Sequence, residues 1–201
     1  MAAPSSIHKG GRRVRGSRVN KCHVTPRSWK STDAAAAAKD FFTRPPKIAA
    51  RELIRELCSE DAFDHRCAAE LARLVSRREP GILAEYGDLL AEAAAELPME
   101  EWQARGYVLV AAAHNAMTRA QRMRLLPLVR ARLGEDRIAV QAMALEAFAI
   151  LAAQEPELRD EAMEMLEAAR RSTIPAMRCR AKLMLPAVMK ADAAAPHGRK
   201  R

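Results

Sequence analysis

The stretch Asp136-Arg137-Ile138-Ala139-Val140-Gln141-Ala142-Met143-Ala144-Leu145-Glu146-Ala147-Phe148-Ala149-Ile150-Leu151-Ala152-Ala153 decides the reading of this chain. It is apolar on almost every side, interrupted by Arg137, Gln141 and Glu146. A helix of that kind has to be covered on most of its circumference. Its length, about 18 residues, is barely that of a bilayer span, and its charged residues make it a poor one. It reads instead as the inner layer of a stack of helices.

An internal repeat extends this reading in both directions. A shift of 37 or 38 residues links Ala68, Gly106, Ala144 and Ala181. The same shift links Leu71, Leu109, Ala147 and Met184; Leu74, Ala112, Ile150 and Ala187; and Val75, Ala113, Leu151 and Val188. These columns are spaced by three and four, so they share one face of a helix. A preceding helix keeps the same register through Leu53, Leu90, Leu128 and Leu166, and Pro80, Thr118 and Pro156 recur where each first helix should begin. Accidental matches are cheap among alanines, so the leucine and proline columns carry more weight.

At 201 residues one domain is the default, and with 49% hydrophobic residues it can bury a sizeable core. Few residues are aromatic, glycine is scarce after Gly16, and no alternating strand pattern occurs, so the class is all-α. The net charge of +9 is carried by the ends. Residues 1–30 hold eight Lys or Arg and residues 196–201 three, with no acid in either segment. The body between them is nearly neutral. The basic balance therefore does not imply a nucleic-acid surface on the body.

Residues 1–32 read as a disordered basic arm, 33–190 as the helical repeat domain, and 191–201 as a disordered basic tail. The arm lacks a signal-peptide core, so secretion is not expected. Asp33 can cap a short helix whose Phe41 and Phe42 dock on the first repeat. Pro45-Pro46 ends that segment, and residues 47–58 form the first outer helix, with Ile48, Leu53, Ile54 and Leu57 on one face. The next helix covers about 62–78. Repeat two runs from Pro80 to Leu97 and from Met99 to Met117. Repeat three begins with a capping box, Thr118-Arg119-Ala120-Gln121, and stops at Gly134. Pro127 should kink it. Repeat four spans 157–171 and 174–190, with Pro175 at a permitted first-turn position and Pro186 bending its last helix. Cys22, Cys58, Cys67 and Cys179 form no CxxC pair or disulfide framework, and the last three are expected to pack inside helices in a cytoplasmic protein.

The segments Asp136-Arg137-Ile138-Ala139-Val140-Gln141-Ala142 and Pro175-Ala176-Met177-Arg178-Cys179-Arg180-Ala181 resemble the second-helix signature of HEAT and armadillo repeats. The resemblance covers roughly residues 46–190. It implies a right-handed α-solenoid of about four antiparallel helix hairpins that presents its second helices as a concave binding surface. Repeat one lacks the proline-opened form, and Trp102 and Gly106 depart from the pattern in repeat two. Some DNA glycosylases and lyases share the fold. Here Gly106 stands where a glycosylase would need a carboxylate one turn after Trp102, and no metal or acidic constellation is present.

The ridge of second helices should carry Arg66, Glu70, Arg73 and Arg77, then Ala104, Val108, Ala111 and Asn115, then Ala142, Glu146, Ala149 and Ala153, then Cys179, Leu183, Pro186 and Lys190. Its ends are charged and its middle is apolar, which suits a protein or peptide partner. Another copy of the chain, or Phe41 and Phe42, could cover it instead. Trp102, Arg105 and Tyr107 form an aromatic-basic group where a base or peptide could stack; a plug between repeats is the plainer reading. His65-x-Cys67 cannot converge on a metal, and His114 has no carboxylate near it in sequence. No phosphate loop, nucleophile elbow or zinc pattern occurs.

These features lead to a non-enzymatic scaffold without a cofactor, binding a protein through Arg66, Glu70, Arg73, Trp102, Val108, Ala111, Asn115, Glu146 and Ala149. The alternative is nucleic-acid association through Arg12, Arg13, Arg15, Arg18 and Lys21 of the arm. A HEAT-like glycosylase or lyase comes third. No membrane association is expected, and self-association stays open.

Overall fold

The structure, a computed structural model, describes residues 34–59 and 62–194, with residues 62–64 described in backbone only. Nine α-helices occur among them: α1 (Ala34–Thr43), α2 (Pro46–Leu57), α3 (Ala62–Arg78), α4 (Gly87–Glu96), α5 (Trp102–Asn115), α6 (Arg119–Leu133), α7 (Ile138–Gln154), α8 (Arg159–Arg171) and α9 (Pro175–Ala193). The all-α class follows directly. Asp33 lies outside the described residues, so its capping role does too.

Helices pair along the chain as α2 with α3, α4 with α5, α6 with α7 and α8 with α9. The second members then pack on one another in order, α3 on α5, α5 on α7 and α7 on α9. The result is an inner row of four helices with α2, α4, α6 and α8 outside it. The small-residue column explains the close approach: Ala68, Ala144 and Ala181 are fully buried, and a Cβ on Gly106 would come within 2.5 Å of the Met143 sulfur. The Val75, Ala113, Leu151 and Val188 column is fully buried in every helix. In the other columns Leu74 and Leu128 are only half-buried and Ala187 is exposed.

At the N-terminal end, α1 lies against α3. Phe41 is buried, the guanidinium of Arg78 stacks 4.1 Å over the Phe42 ring, and both phenylalanines dock as expected. Helix α2 starts with Pro46 at a first-turn position and buries Ala49, Ala50, Leu53, Ile54 and Leu57. Ile48, expected on that face, is instead 52% exposed. Five residues of helix turn through about 500°, which leaves Ile48 well off the line of Leu53.

Pro80 and Pro156 do not open α-helices directly. A turn at Gly81, in the left-handed region at φ 86, precedes a 3₁₀ segment at Ala84–Tyr86, and Pro156 begins another at Pro156–Leu158. Gly134 does end α6, but at φ −89, so the stop does not use glycine's conformational freedom. Pro127 lies inside α6 and Pro186 inside α9 without ending either helix. Helix α9 continues to Ala193, beyond the boundary expected at Lys190.

The capping box is present. The Gln121 backbone N–H donates to Thr118 Oγ1 (3.2 Å), and the Thr118 N–H donates to Gln121 Oε1 (3.1 Å). Thr118 is exposed, so its substitution tests the cap alone. Thr118→Ala is expected to lower stability by about 1 kcal/mol in urea unfolding, with the slope on denaturant unchanged. A loss under a few tenths would show that the box contributes nothing.

Candidate functional site

The polar interruptions of the stretch 136–153 each meet a specific partner. Arg137 stacks 5.8 Å from the Trp102 ring centre. The Gln141 side-chain amide donates to the Glu135 carbonyl at 2.5 Å. Glu146 is the unusual one. It lies mid-helix in α7 at 1% exposure, and a buried carboxylate is costly unless charge is brought to it.

That charge comes from both sides. Arg180 of α9 places Nη1 2.5 Å from Glu146 Oε2, and Arg77 of α3 places Nε 3.4 Å from Oε1. Since α5 packs on both α3 and α7, the Arg77–Glu146 pair joins the two helices on either side of it. Arg73, one turn before Arg77, stacks 4.9 Å over the Tyr107 ring of α5 and lies 3.9 Å from Glu70. Burial lowers the Arg73 pKa, Glu146 opposes that shift, and Arg77 and Arg180 are close enough to reinforce it. His114 of α5 is pushed down to about 4, by burial first and by Arg77 second. All four inner helices thus contribute to one polar cluster.

The His114 shift makes a pH prediction. Its folded value is below the usual 6.5, so between about pH 6.5 and 4 the unfolded chain gains a proton that the folded chain does not. Stability that is present above pH 6.5 is therefore lost as pH falls through that window. The shift sets a ceiling near 3 kcal/mol, and solvent at this half-buried ring reduces it to about 2 kcal/mol. His114→Asn should remove that part of the pH dependence while leaving unfolding at pH 7.5 to 8 free of any proton contribution from this site. An unchanged difference between pH 7.5 and pH 4.5 would overturn it.

The ridge expected from the sequence is partly displaced by this packing. Ala104, Val108, Ala111, Asn115, Ala142, Glu146 and Ala149 are all buried, so the expected exposed apolar strip is interior. The reason is in α7 itself: a helix apolar all round has no face to spare for solvent. The accessible parts are the ends, Arg66 on α3, half-buried Glu70, and Cys179, Leu183, Pro186 and Lys190 on α9.

Other candidates separate in space. Trp102 takes Arg137, Tyr107 takes Arg73, and Arg105 turns to Glu135 at 3.3 Å, so the aromatic-basic group is dispersed. His65 faces Glu101 at 2.8 Å and the Ser59 carbonyl. Cys58 and Cys179 are exposed and Cys67 half-buried, contrary to the packed positions expected. Partial desolvation, then Glu92, raises the Cys58 thiol, which works against reactivity. Among the described residues no group of three His, Cys, Asp or Glu could hold a metal, and no helix is long and apolar enough to cross a membrane. Arg12, Arg13, Arg15, Arg18 and Lys21 lie outside the described residues.

The Arg73–Arg77–Arg180 grouping around Glu146 is not legible in the sequence as a unit. Glu146 and Arg73 stand in ridge columns, but no spacing rule joins residues on α3, α7 and α9. Compared with protein-family models, curated proteins and solved structures, the chain matches none.

Proposed function

We propose that the chain is a non-enzymatic, HEAT-like scaffold that binds a protein partner on its inner-helix side. The observation that carries this reading is the order of packing, each inner helix on the next and each outer helix on its own partner. Such a row grows by nearest-neighbour contacts, and its accessible second-helix positions lie on its two end members, α3 and α9. The 37- to 38-residue columns and their burial support the same reading. Partner contact then falls on the accessible ends and on the arginines, not on the buried alanines.

The test is capture from source lysate at low and high salt. Three full-length chains are compared: the parent, one with Arg12, Arg13, Arg15, Arg18 and Lys21 replaced by Gln, and Leu183→Asp. Leu183 is 44% exposed, so the last change should not unfold the chain. The same protein should be retained by the first two chains in both salts and lost by Leu183→Asp. Retention of nucleic acid alone, at low salt alone, and abolished by the arm substitutions, would replace the scaffold with an arm-driven nucleic-acid binder.

A further inference from the structure

Three guanidinium groups gather around one buried carboxylate, and that imbalance has a chemical consequence. Arg77 and Arg180 pair with Glu146, and Arg73 lies close enough to feel its charge while lying 3.9 Å from Glu70. The neighbouring ring, His114, adds no positive charge near pH 7. The cluster therefore retains excess positive charge after all its carboxylates are counted.

Hydrogen bonding inside the cluster is also incomplete. A guanidinium has five N–H groups in a planar fork, and a carboxylate has about four acceptor sites. Glu146 is approached through Arg77 Nε and Arg180 Nη1. Among the described residues Arg73 Nε donates to no group, and neither buried oxygen of Glu146 accepts a hydrogen bond of good geometry, so Arg77 and Arg180 meet the carboxylate as ion pairs. Arg73 is 9% exposed, so it cannot satisfy that donor freely with bulk water. The side chains of Arg77 and Arg180 stay 32% and 24% exposed, which leaves an approach from solvent. Tyr107 backs Arg73 and fixes the plane of its fork.

We propose that Arg73, Arg77 and Arg180 form an oxyanion site that takes a side-chain carboxylate from an acidic segment of a protein partner. This rests on the scaffold reading and adds the chemistry of the ligand. Charge complementarity selects an acidic peptide, and Glu146 competes with it by neutralising part of the arginine charge.

The experiment titrates the full-length chain with fluorescein-labelled hexaglutamate, with a Ser-Gly peptide of equal length and with labelled oligothymidine. Unlabelled sulfate serves as competitor. Arg77→Gln and Arg180→Gln should each weaken hexaglutamate binding tenfold or more. Arg180→Lys, which keeps a charge beside Glu146, should cost only a few-fold. Glu146→Gln keeps the side chain's shape and should bind the peptide several-fold more tightly, and its melting temperature should rise more in sulfate than the parent's does. A merely structural cluster would show no such gain. Binding that is unchanged across these variants, or absent from the parent, overturns the site. Tighter binding of oligothymidine with the same arginine dependence also overturns it, by moving the ligand to nucleic acid. If Arg77→Gln and Arg180→Gln still capture the lysate partner, this site falls while the scaffold reading stands. Loss of that partner with Leu183→Asp alone likewise removes the site and keeps the scaffold.

Discussion

Glu146→Ala should lower the free energy of unfolding by about 3 kcal/mol at pH 7. The carboxylate is buried between Arg77 and Arg180, and it is also the group that favours the charged form of Arg73. Its removal leaves like charges facing one another with no counterion. Loss of one partner from a buried ion pair commonly costs about 3–5 kcal/mol, because the survivor keeps its desolvation penalty. The low end applies here, since Arg77 and Arg180 can turn partly to solvent, whereas Arg73 is held between α3 and the Tyr107 ring. Urea unfolding at two salt concentrations checks this. The deficit should shrink at high salt as repulsion is screened. A loss below about 1 kcal/mol at low salt would mean that water already neutralises the cluster. Replacing Glu146 and Arg180 together should cost less than the two single losses added, because the second change removes a charge that the first left stranded.

Asn115→Ala should cost about 3 kcal/mol by a different mechanism, the stranding of buried hydrogen-bonding groups. Asn115 is fully buried at the end of α5. The Leu83 N–H donates to its Oδ1 at 2.8 Å, and its Nδ2 donates to Ser76 Oγ at 2.7 Å and to the Ala111 carbonyl at 2.8 Å. One amide thus ties the turn after Gly81 to the ends of α3 and α5. Alanine would leave the Leu83 donor unpaired and Ser76 without its partner, both away from water. Each stranded buried group costs about 1–3 kcal/mol. Asn115→Asp should lose a similar amount, because it keeps the acceptor for Leu83 but loses both donors and buries a charge. Hydrogen exchange at Leu83 should accelerate in Asn115→Ala more than at Leu109, whose amide lies inside α5. Equal acceleration at both sites would indicate global loosening and sink the local account.

Glu146 and Asn115 also mark the limit of what periodicity encodes. Both stand in ridge columns of the second helices, where the repeat pattern points to a surface, and both are buried. A column with a 37- to 38-residue period states which positions are equivalent. It does not state which side of the stack those positions face. In α7 nearly every position is apolar, so periodicity in that helix carries no phase. Only the neighbours decide, and α5 and α9 close over both flanks of α7. Ile48 departs from expectation for a related reason: an apolar residue reads as core where two alanines, Ala49 and Ala50, fill the contact instead.

Local chemistry is legible where it is carried by adjacent residues. Thr118 and Gln121 form their reciprocal cap, Pro175 occupies a first-turn position, and Phe41 docks, because each depends on a few neighbours or on a strong apolar preference. The sequence by itself determined an all-helical chain, the register of its repeated columns and the confinement of its excess charge to the two ends. Tertiary structure alone decided that the apolar ridge is interior and that Arg77 and Arg180 converge on Glu146. The physical reason is distance along the chain: Arg77 and Arg180 are brought to one carboxylate by three successive helix contacts, and no local pattern encodes that meeting.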